Sequence, residues 1–114
     1  MADCIFCGIV SGDVPADKVA ENADVIAFRD LAPVASTHVL VIPRRHVADA
    51  SEITPDDGGL VGALFATATE VARAEGVDRG GYRLVFNVGL DAGNTVAHLH
   101  LHVIGGRSLS WPPG

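Results

Sequence analysis

The chain has 114 residues, 48% of them hydrophobic, and 14 acidic against eight basic side chains give it a net charge of −6. This length suits one domain with its own core, and no apolar run approaches the roughly 20 residues that span a bilayer. Lysine occurs once and only two arginines are adjacent, so the clustered cations that bind a nucleic-acid backbone are missing. The first residues lack the basic and apolar regions of a secretory signal. We therefore expect a soluble cytoplasmic protein that binds neither nucleic acid nor a membrane.

Two cysteines, Cys4 and Cys7, form a C-x-x-C motif within the segment 1–12, which we expect to be partly helical. In a cytoplasmic chain this spacing indicates metal or redox chemistry and not a structural disulfide. A thioredoxin-type motif follows a strand, and no strand is predicted before Cys4. The metal interpretation is therefore favoured, provided that other ligands exist.

Four strands are predicted, and a helix separates the second strand from the third. The strands cover residues 25–29, 38–43, 82–87 and 98–104, where β-branched or alternating apolar residues end at turn-forming Pro or Gly. The helix begins at Thr54-Pro55, a capping residue followed by proline, and ends at Gly76. Its apolar stripe consists of Leu60, Val61, Leu64, Phe65, Ala68, Val71 and Ala72. Such elements predict an α+β domain with an antiparallel sheet.

Three histidines, His98, His100 and His102, alternate with apolar residues in the last predicted strand. Alternate residues of a strand share one face, so we expect the imidazoles on one side and Leu99, Leu101 and Val103 on the core side. Two interpretations follow. One is a three-histidine metal site. The other is nucleophilic catalysis by one imidazole, with its neighbours fixing its tautomer. The spacing alone does not separate them.

The run from His98 to Ile104 resembles the signature of the histidine triad superfamily, and the resemblance covers nearly the whole chain. It includes the C-x-x-C motif, residues 27–30, 37–43, 45–46 and 93–98, and the ending 105–114. The Trp-Pro-Pro-Gly ending is similar to the Hint branch, the purine nucleoside phosphoramidases. The resemblance implies a single HIT domain over residues 1–114. It also implies a five-stranded antiparallel sheet, with one long helix and one or more short ones, that pairs into a ten-stranded sheet in a homodimer.

The implied activity is hydrolysis of the P–N bond of purine nucleoside 5′-phosphoramidates through a covalent nucleotidyl-histidine. His100 matches the nucleophile; we expect its far nitrogen to donate to a backbone carbonyl. The implied catalytic set also contains His102, His38 and His98, with a protonated His102 neutralising phosphoryl oxygens. The implied nucleotide-binding residues are Ile5, Phe6, Ile9, Phe28, Asp30, Leu31, Asn87, Gly93, Asn94, Thr95, Val96 and Trp111.

Some of these residues have more specific expected roles. Asp30 matches the residue that accepts from the ribose hydroxyls, and the apolar residues match the base pocket. Backbone amides of residues 93–96 are expected to point at the phosphate, and Thr95 is expected to lie close to the leaving amine. Arg29 replaces a histidine found in some relatives and receives no role.

No cofactor is expected to be needed for catalysis, but we expect a structural zinc bound by Cys4, Cys7, His46 and His98. Two thiolates and two imidazoles complete a closed tetrahedral site. The tail 106–114, with its only tryptophan Trp111, is expected to lie near the partner subunit's active site and to shape the leaving-group pocket.

Other functions of the superfamily remain open at this point. A transferase branch has Gln where this chain has His102, which favours hydrolysis. A dinucleoside polyphosphate hydrolase, or a nucleotide-binding regulatory module with incidental activity, is the alternative. A measured turnover with an adenosine phosphoramidate would discriminate between an enzyme and such a module.

Overall fold

Five strands form one antiparallel sheet, and two helices cover its two faces. In the computed structural model, which describes residues 4–114, the helices are α1 (Ile5–Ser11) and α2 (Gly58–Glu75). The strands are β1 (Lys18–Glu21), β2 (Val25–Arg29), β3 (Thr37–Pro43), β4 (Tyr82–Val85) and β5 (Leu101–Gly105). Short 3₁₀ turns lie at Ala50–Glu52, Pro55–Asp57 and Leu90–Ala92. The predicted α+β class is confirmed; residues 1–3 of the predicted N-terminal segment lie outside the described residues.

The sheet has the strand order β1–β2–β3–β5–β4, so β5 lies between β3 and β4. Each neighbouring pair is antiparallel. The register places His102 opposite Leu40 on β3 and opposite Val85 on β4. The end of the histidine segment is therefore held by a strand on each side.

The core has two parts, one on each face of the sheet. On the α2 side, Leu64, Ala68 and Val71 pack against alternate residues of β2, β3 and β5. On the α1 side, Phe6 and Ile9 pack against the intervening residues Ile26, Phe28, Leu40 and Ile42. Because both faces are covered, every residue of β3 is buried. This explains why β3 is a continuous apolar run rather than an alternating one.

The long helix is confirmed, with two corrections. Its first predicted turn is a separate 3₁₀ turn, closed by a 2.9 Å bond from the Thr54 amide to the Asp57 carboxylate. Phe65 is 42% exposed and not part of the buried stripe, because its place at the stripe's edge lets its ring pack on Phe86 instead. Thr67 is buried and accepts a hydrogen bond from Asn22. The helix ends at Gly76, whose φ of 77° is the left-handed cap expected of glycine.

Two strand limits differ from the predictions by two residues or more, and one strand was not predicted. The last strand begins at Leu101 and not at His98, because the Leu99 amide bonds the Val47 carbonyl at 2.6 Å rather than a neighbouring strand. The strand from Tyr82 ends at Val85. The edge strand β1 is half-exposed and only four residues long, too short for its pattern to be recognised. Among the described residues, neither helix combines the length and apolar character needed to cross a bilayer.

Candidate active site

The three alternating histidines lie on the α1 side of the sheet. His98 is fully buried just before β5, while His100 and His102 are partly buried. The Phe6 ring in α1 lies 6.0 Å from the His98 ring and 5.2 Å from the His100 ring. The intervening Leu99, Leu101 and Val103 belong to the opposite core, under α2. The predicted division of faces is confirmed, although two of the three histidines precede the strand.

The His100 ring is oriented by the main chain of the same segment. Its Nδ1–H donates to the His98 carbonyl oxygen at 2.7 Å, which supplies the backbone acceptor expected from the sequence. A neutral imidazole with its proton on Nδ1 carries a lone pair on Nε2. Since His100 lines a cavity, this arrangement suits a nucleophile.

A chain of hydrogen bonds sets the tautomers of the other two histidines. The Val34 amide donates to His38 Nδ1 at 3.2 Å, which leaves the His38 proton on Nε2. That Nε2–H donates to His102 Nδ1 at 2.9 Å, and Asp30 Oδ2 lies 3.4 Å from the same nitrogen. Since His102 Nδ1 accepts this bond, the single proton of the neutral His102 ring is on Nε2. That atom is buried and has no hydrogen-bond partner among the described residues. His102 therefore offers an N–H donor beside His100.

Burial lowers the pKa of His102 to about 4, and the charges of His100 and His38 lower it in the same direction. The imidazole is therefore neutral near pH 7 in the ligand-free protein. The expectation of a protonated His102 concerns the phosphate-bound state and stays a prediction, while in the ligand-free protein desolvation outweighs the attraction of Asp30. A neutral His102 still donates through Nε2–H, and an arriving phosphate would raise its pKa.

We expect acidification to destabilise the protein partly through His102. Its pKa of about 4 lies below the ordinary value of 6.5, so between these values the unfolded chain binds a proton that the folded chain does not. The free energy of unfolding should therefore fall as the pH falls through this window, by roughly 1–3 kcal/mol from this residue. Urea unfolding of the wild type and His102→Asn at pH 7 and pH 4.5 measures the contribution. Equal losses in both proteins would show that His102 does not titrate this way.

A cavity of about 290 Å³ opens beside His100 and His102, a size suited to a small ligand. Eight of the residues predicted to bind a nucleotide line it: Phe6, Phe28, Asp30, Leu31, Asn87, Gly93, Thr95 and Val96. The aromatic side chains and Leu40 give it an apolar wall, and the histidines with Asp30 and Thr95 give it polar groups. This combination of apolar walls and a few polar groups is typical of a small-molecule site.

Several predicted site residues do not line this cavity. His38 is hydrogen-bonded to His102 but does not line the cavity, while Ile9 is buried in the core under α1. Ile5 is half exposed, and Trp111 is 82% exposed. The side-chain oxygen of Asn94 is buried and has no hydrogen-bond partner among the described residues. The predicted catalytic role of His38 and the predicted nucleotide-binding roles of the other four residues therefore stay predictions.

In the loop before the histidines, some backbone N–H groups already donate hydrogen bonds within the loop. The Gly93 amide donates to the Leu90 carbonyl at 2.9 Å, and the Asn94 amide donates to the Gly89 carbonyl at 3.1 Å. Because these two amides donate within the loop, the expectation that the amides of residues 93–96 point at a phosphate is wrong for Gly93 and Asn94. Only the amides of Thr95 and Val96 are left for a ligand.

A second cluster, Cys4, Cys7, His46 and His98, lies on the other side of Phe6 and can hold a metal ion. Cys4 Sγ lies 3.4 Å from His98 Nδ1, and Cys7 Sγ lies 3.2 Å from His46 Nδ1. The two Nδ1 atoms are 3.2 Å apart. Zinc bound tetrahedrally at 2.0–2.3 Å sets its ligand atoms about 3.3–3.8 Å apart, close to these distances.

The surroundings of His98 support this interpretation. Its Nε2–H donates to the Pro43 carbonyl at 2.9 Å, so the lone pair of Nδ1 faces the two thiols. In metal-binding histidines, the ring nitrogen that does not bind the metal typically donates its N–H to an acceptor in this way. Burial lowers the pKa of His98, opposed by the bond to Pro43, and so favours the neutral form that binds metals.

Asp30, His38 and His102 also bring three potential ligand atoms within 4.8 Å. Here the hydrogen bonds indicate a different role. Because the Val34 amide donates to His38 Nδ1, the His38 proton is on Nε2, the atom that would have to bind the metal. We interpret this trio as a hydrogen-bonded chain and the cysteine cluster as the metal site.

Comparison with known proteins identifies the family. The HIT domain family matches residues 11–109. The chain belongs to the HIT family. An uncharacterized HIT-like protein from Synechococcus elongatus is 47% identical to this HIT domain over 112 residues, covering 98% of this chain and 97% of the relative. One from Synechocystis is 46% identical with the same coverage.

Solved structures share the fold of this HIT domain. A HIT family hydrolase from Legionella pneumophila superposes with a TM-score of 0.96 at 46% identity, covering 98% of this chain and all of that one. A histidine triad protein from Clostridium difficile gives a TM-score of 0.92 at 38% identity, with 96% of each chain covered. The predicted five-stranded architecture is therefore confirmed.

Cavity residues that the sequence did not reveal come from β2, from β3 and from the segment before β1. They are Pro15, Ala16, Asp17, Arg29 and Leu40. The Arg29 guanidinium forms two bonds to the Glu75 carboxylate, of 2.7 and 3.0 Å, which raise the pKa of Arg29 and lower that of Glu75. This ion pair ties the cavity wall to the end of α2. No local sequence signal pairs residues 46 positions apart.

Proposed function

We propose that this HIT domain is a hydrolase that cleaves the P–N bond of purine nucleoside 5′-phosphoramidates. The observation that carries the proposal is the orientation of His100. Its Nδ1–H is held by the His98 carbonyl, so its Nε2 lone pair is available beside the cavity and next to the His102 N–H donor. The neighbouring proteins named as HIT family hydrolases support the reaction class.

The reaction proceeds in two steps. In the first, His100 Nε2 attacks phosphorus, a P–N bond to His100 forms, and the bond to the leaving amine breaks. The leaving nitrogen takes a proton from His102, for which the imidazolium form favoured by a bound phosphate is the candidate donor, so that His102 becomes neutral. In the second step, water attacks phosphorus, the P–N bond to His100 breaks, and His102 takes a proton from the water. This releases a nucleoside monophosphate and restores His100.

The remaining cavity residues bind the nucleotide. Asp30 Oδ1 accepts from the Ala32 amide at 2.8 Å, which fixes the carboxylate at the cavity wall as an acceptor for the ribose hydroxyls. Phe6 and Phe28 stand edge to face with ring centres 5.4 Å apart and provide the apolar wall for the base. Thr95 is placed near the leaving amine.

Mass spectrometry of enzyme quenched during turnover tests the proposal. With adenosine 5′-phosphoramidate we expect a mass gain of one AMP, located on His100 by peptide mapping. Turnover without any covalent species, or with the label on another residue, would overturn the covalent mechanism. A comparison of the phosphoramidate with a dinucleoside polyphosphate separates this activity from the other hydrolase of the superfamily.

We also propose that the cysteine cluster holds a structural zinc ion in a cytoplasmic protein. The fit of the four ligand atoms supports it, and zinc there would be closed to substrate and would supply folding energy without taking part in the reaction. Elemental analysis of protein purified without chelator should give about one zinc per chain. Less than a few tenths would count against a resident metal.

A homodimer is the proposed assembly. The strand order leaves β4 at one edge of the sheet, with no strand beyond it among the described residues. On α2 the space beside three glycines is open: Gly58, Gly59 and Gly62. Phe65 beside them is exposed. A second copy meeting this face and β4 would extend the sheet to ten strands and bring the two sites close to the two-fold axis.

Removing residues 111–114 is expected to change the ranking of leaving groups more than the affinity for AMP. Trp111 is 82% exposed in its own chain and does not line its own cavity, while Arg83 on β4 holds the tail by a 2.9 Å bond to the Ser110 carbonyl. In the proposed dimer the tail reaches the partner's site. The measurement is kcat/KM for a series of amine leaving groups, and an unaltered ranking would show that the tail does not contact substrate.

A further inference from the structure

We propose that metal binding at the cysteine cluster and nucleotide binding in the cavity are coupled through Phe6, which makes Phe6 a positioning residue as well as a wall. The inference rests on the proposed function, because it assumes that AMP occupies the cavity. It adds that the metal is an effector of nucleotide affinity, and the nucleotide an effector of metal affinity.

The metal cluster controls the start of α1. Cys4 is the N-cap of this helix, and its sulfur accepts from the Cys7 amide at 3.3 Å. Both thiols therefore belong to the first turn, and a metal bound to them and to His98 joins that turn to the segment before β5. Phe6 stands between the two cysteines in the chain, so its position follows that of the turn.

Little else holds α1 in place. The helix has seven residues, of which only Phe6 and Ile9 are buried. A helix this short is not stable by itself in water, so its position depends on its tertiary contacts. Two buried side chains, the partly buried Val10 and the metal cluster provide those contacts. Loss of the metal removes the anchor at the helix start and leaves Phe6 held by its core packing alone.

Phe6 is in contact with both sites. Its ring is 7% exposed and lies 6.0 Å from the His98 ring on the metal side. On the cavity side it lies 5.2 Å from the His100 ring and 5.4 Å from the Phe28 ring, edge to face in each case. A base stacked in the cavity would press on the same ring that the metal holds in position.

The coupling must be equal in both directions. If the metal raises the affinity for AMP by a given factor, AMP raises the affinity for the metal by the same factor. Typical couplings of this kind are about 5- to 150-fold. The coupling can therefore be measured through the metal affinity, starting from folded, zinc-loaded protein.

The test is a zinc competition against a chromophoric chelator, with and without saturating AMP. We expect AMP to tighten zinc binding at least about fivefold. Ribose 5-phosphate, which has no base to contact Phe6, should change zinc binding much less. In Phe6→Leu the effect of AMP on zinc should disappear. In the matched control Phe28→Leu, which trims a ring of the same cavity on β2, AMP should bind more weakly but its saturating effect on zinc should persist.

Each outcome decides the proposal. An unchanged zinc affinity in protein that binds AMP overturns the coupling. An equal effect of ribose 5-phosphate and AMP, or full coupling in Phe6→Leu, overturns the route through Phe6. The comparison of the two ligands uses wild-type protein, so it stands even if Phe6→Leu does not fold. A failure of AMP to bind at all, read directly from its titration, counts against the proposed function instead.

Discussion

Replacing His100 by alanine is expected to abolish hydrolysis of an adenosine 5′-phosphoramidate while leaving the fold intact. The His100 side chain lines the cavity, and its one hydrogen bond among the described residues is to the His98 carbonyl, so its loss leaves both apolar cores intact. Without a nucleophile the covalent intermediate cannot form, and kcat should fall by about 10⁴-fold or more. Single-turnover assays and thermal unfolding of both proteins measure the two effects.

Rescue by a small molecule separates a chemical role of His100 from a structural one. The space left in His100→Gly lies at the cavity, so free imidazole should enter it and restore part of the turnover. A rate within tenfold of wild type for His100→Ala would sink the assignment of the nucleophile. A complete loss of activity with a large fall in the unfolding temperature and no rescue by imidazole would also contradict the assignment.

The same assays separate the alternative functions. A phosphoramidase has a higher kcat/KM for an adenosine phosphoramidate than for a dinucleoside polyphosphate, and a polyphosphate hydrolase has the reverse order. A regulatory binding module binds AMP but turns over neither compound at a useful rate. The His102 N–H is buried and has no hydrogen-bond partner among the described residues, so it indicates a ligand acceptor in an enzyme and in a binding module alike.

The parts of the structure that follow local periodicity could be predicted from the sequence. The two-residue period of a strand places His100 and His102 on one face and Leu101 and Val103 on the other, even where the strand begins later than expected. The capping box of the 3₁₀ turn before α2 follows from the chemistry of Thr54 and Pro55, and the end of α2 follows from Gly76. The grouping of two cysteines with His46 and His98 follows from ligand chemistry once the strands are placed.

The rest depends on tertiary contacts that no local pattern encodes. The pKa of His102 falls because the assembled sheet buries it beside two other imidazoles. The Arg29–Glu75 pair joins β2 to the end of α2. The Gly93 and Asn94 amides are consumed by a 3₁₀ turn whose glycines, Gly89 and Gly93, adopt φ of 82° and 81°. Each case requires knowing which elements are neighbours before the chemistry of the residue can be read.

The double replacement Cys4→Ser with Cys7→Ser is expected to remove the stabilisation that zinc gives to the wild type. Serine has nearly the same size as cysteine but is a poor zinc ligand at neutral pH, so the change affects the metal more than the packing. A ligand that binds only the folded state at about 1,000 times its Kd adds about 4 kcal/mol to the free energy of unfolding. For a domain of this size that is an increase of roughly 15 °C in Tm.

Thermal unfolding with added zinc and with excess chelator isolates the metal from the side chains. In chelator the wild type and the double variant should unfold at similar temperatures, because the rest of the core, from Ile26 and Ile42 to Leu64 and Leu101, is untouched. In zinc only the wild type should gain stability. A wild type whose Tm does not respond to zinc or chelator would show that the cluster holds no structural metal. A double variant that gains as much from zinc as the wild type would place the ion elsewhere.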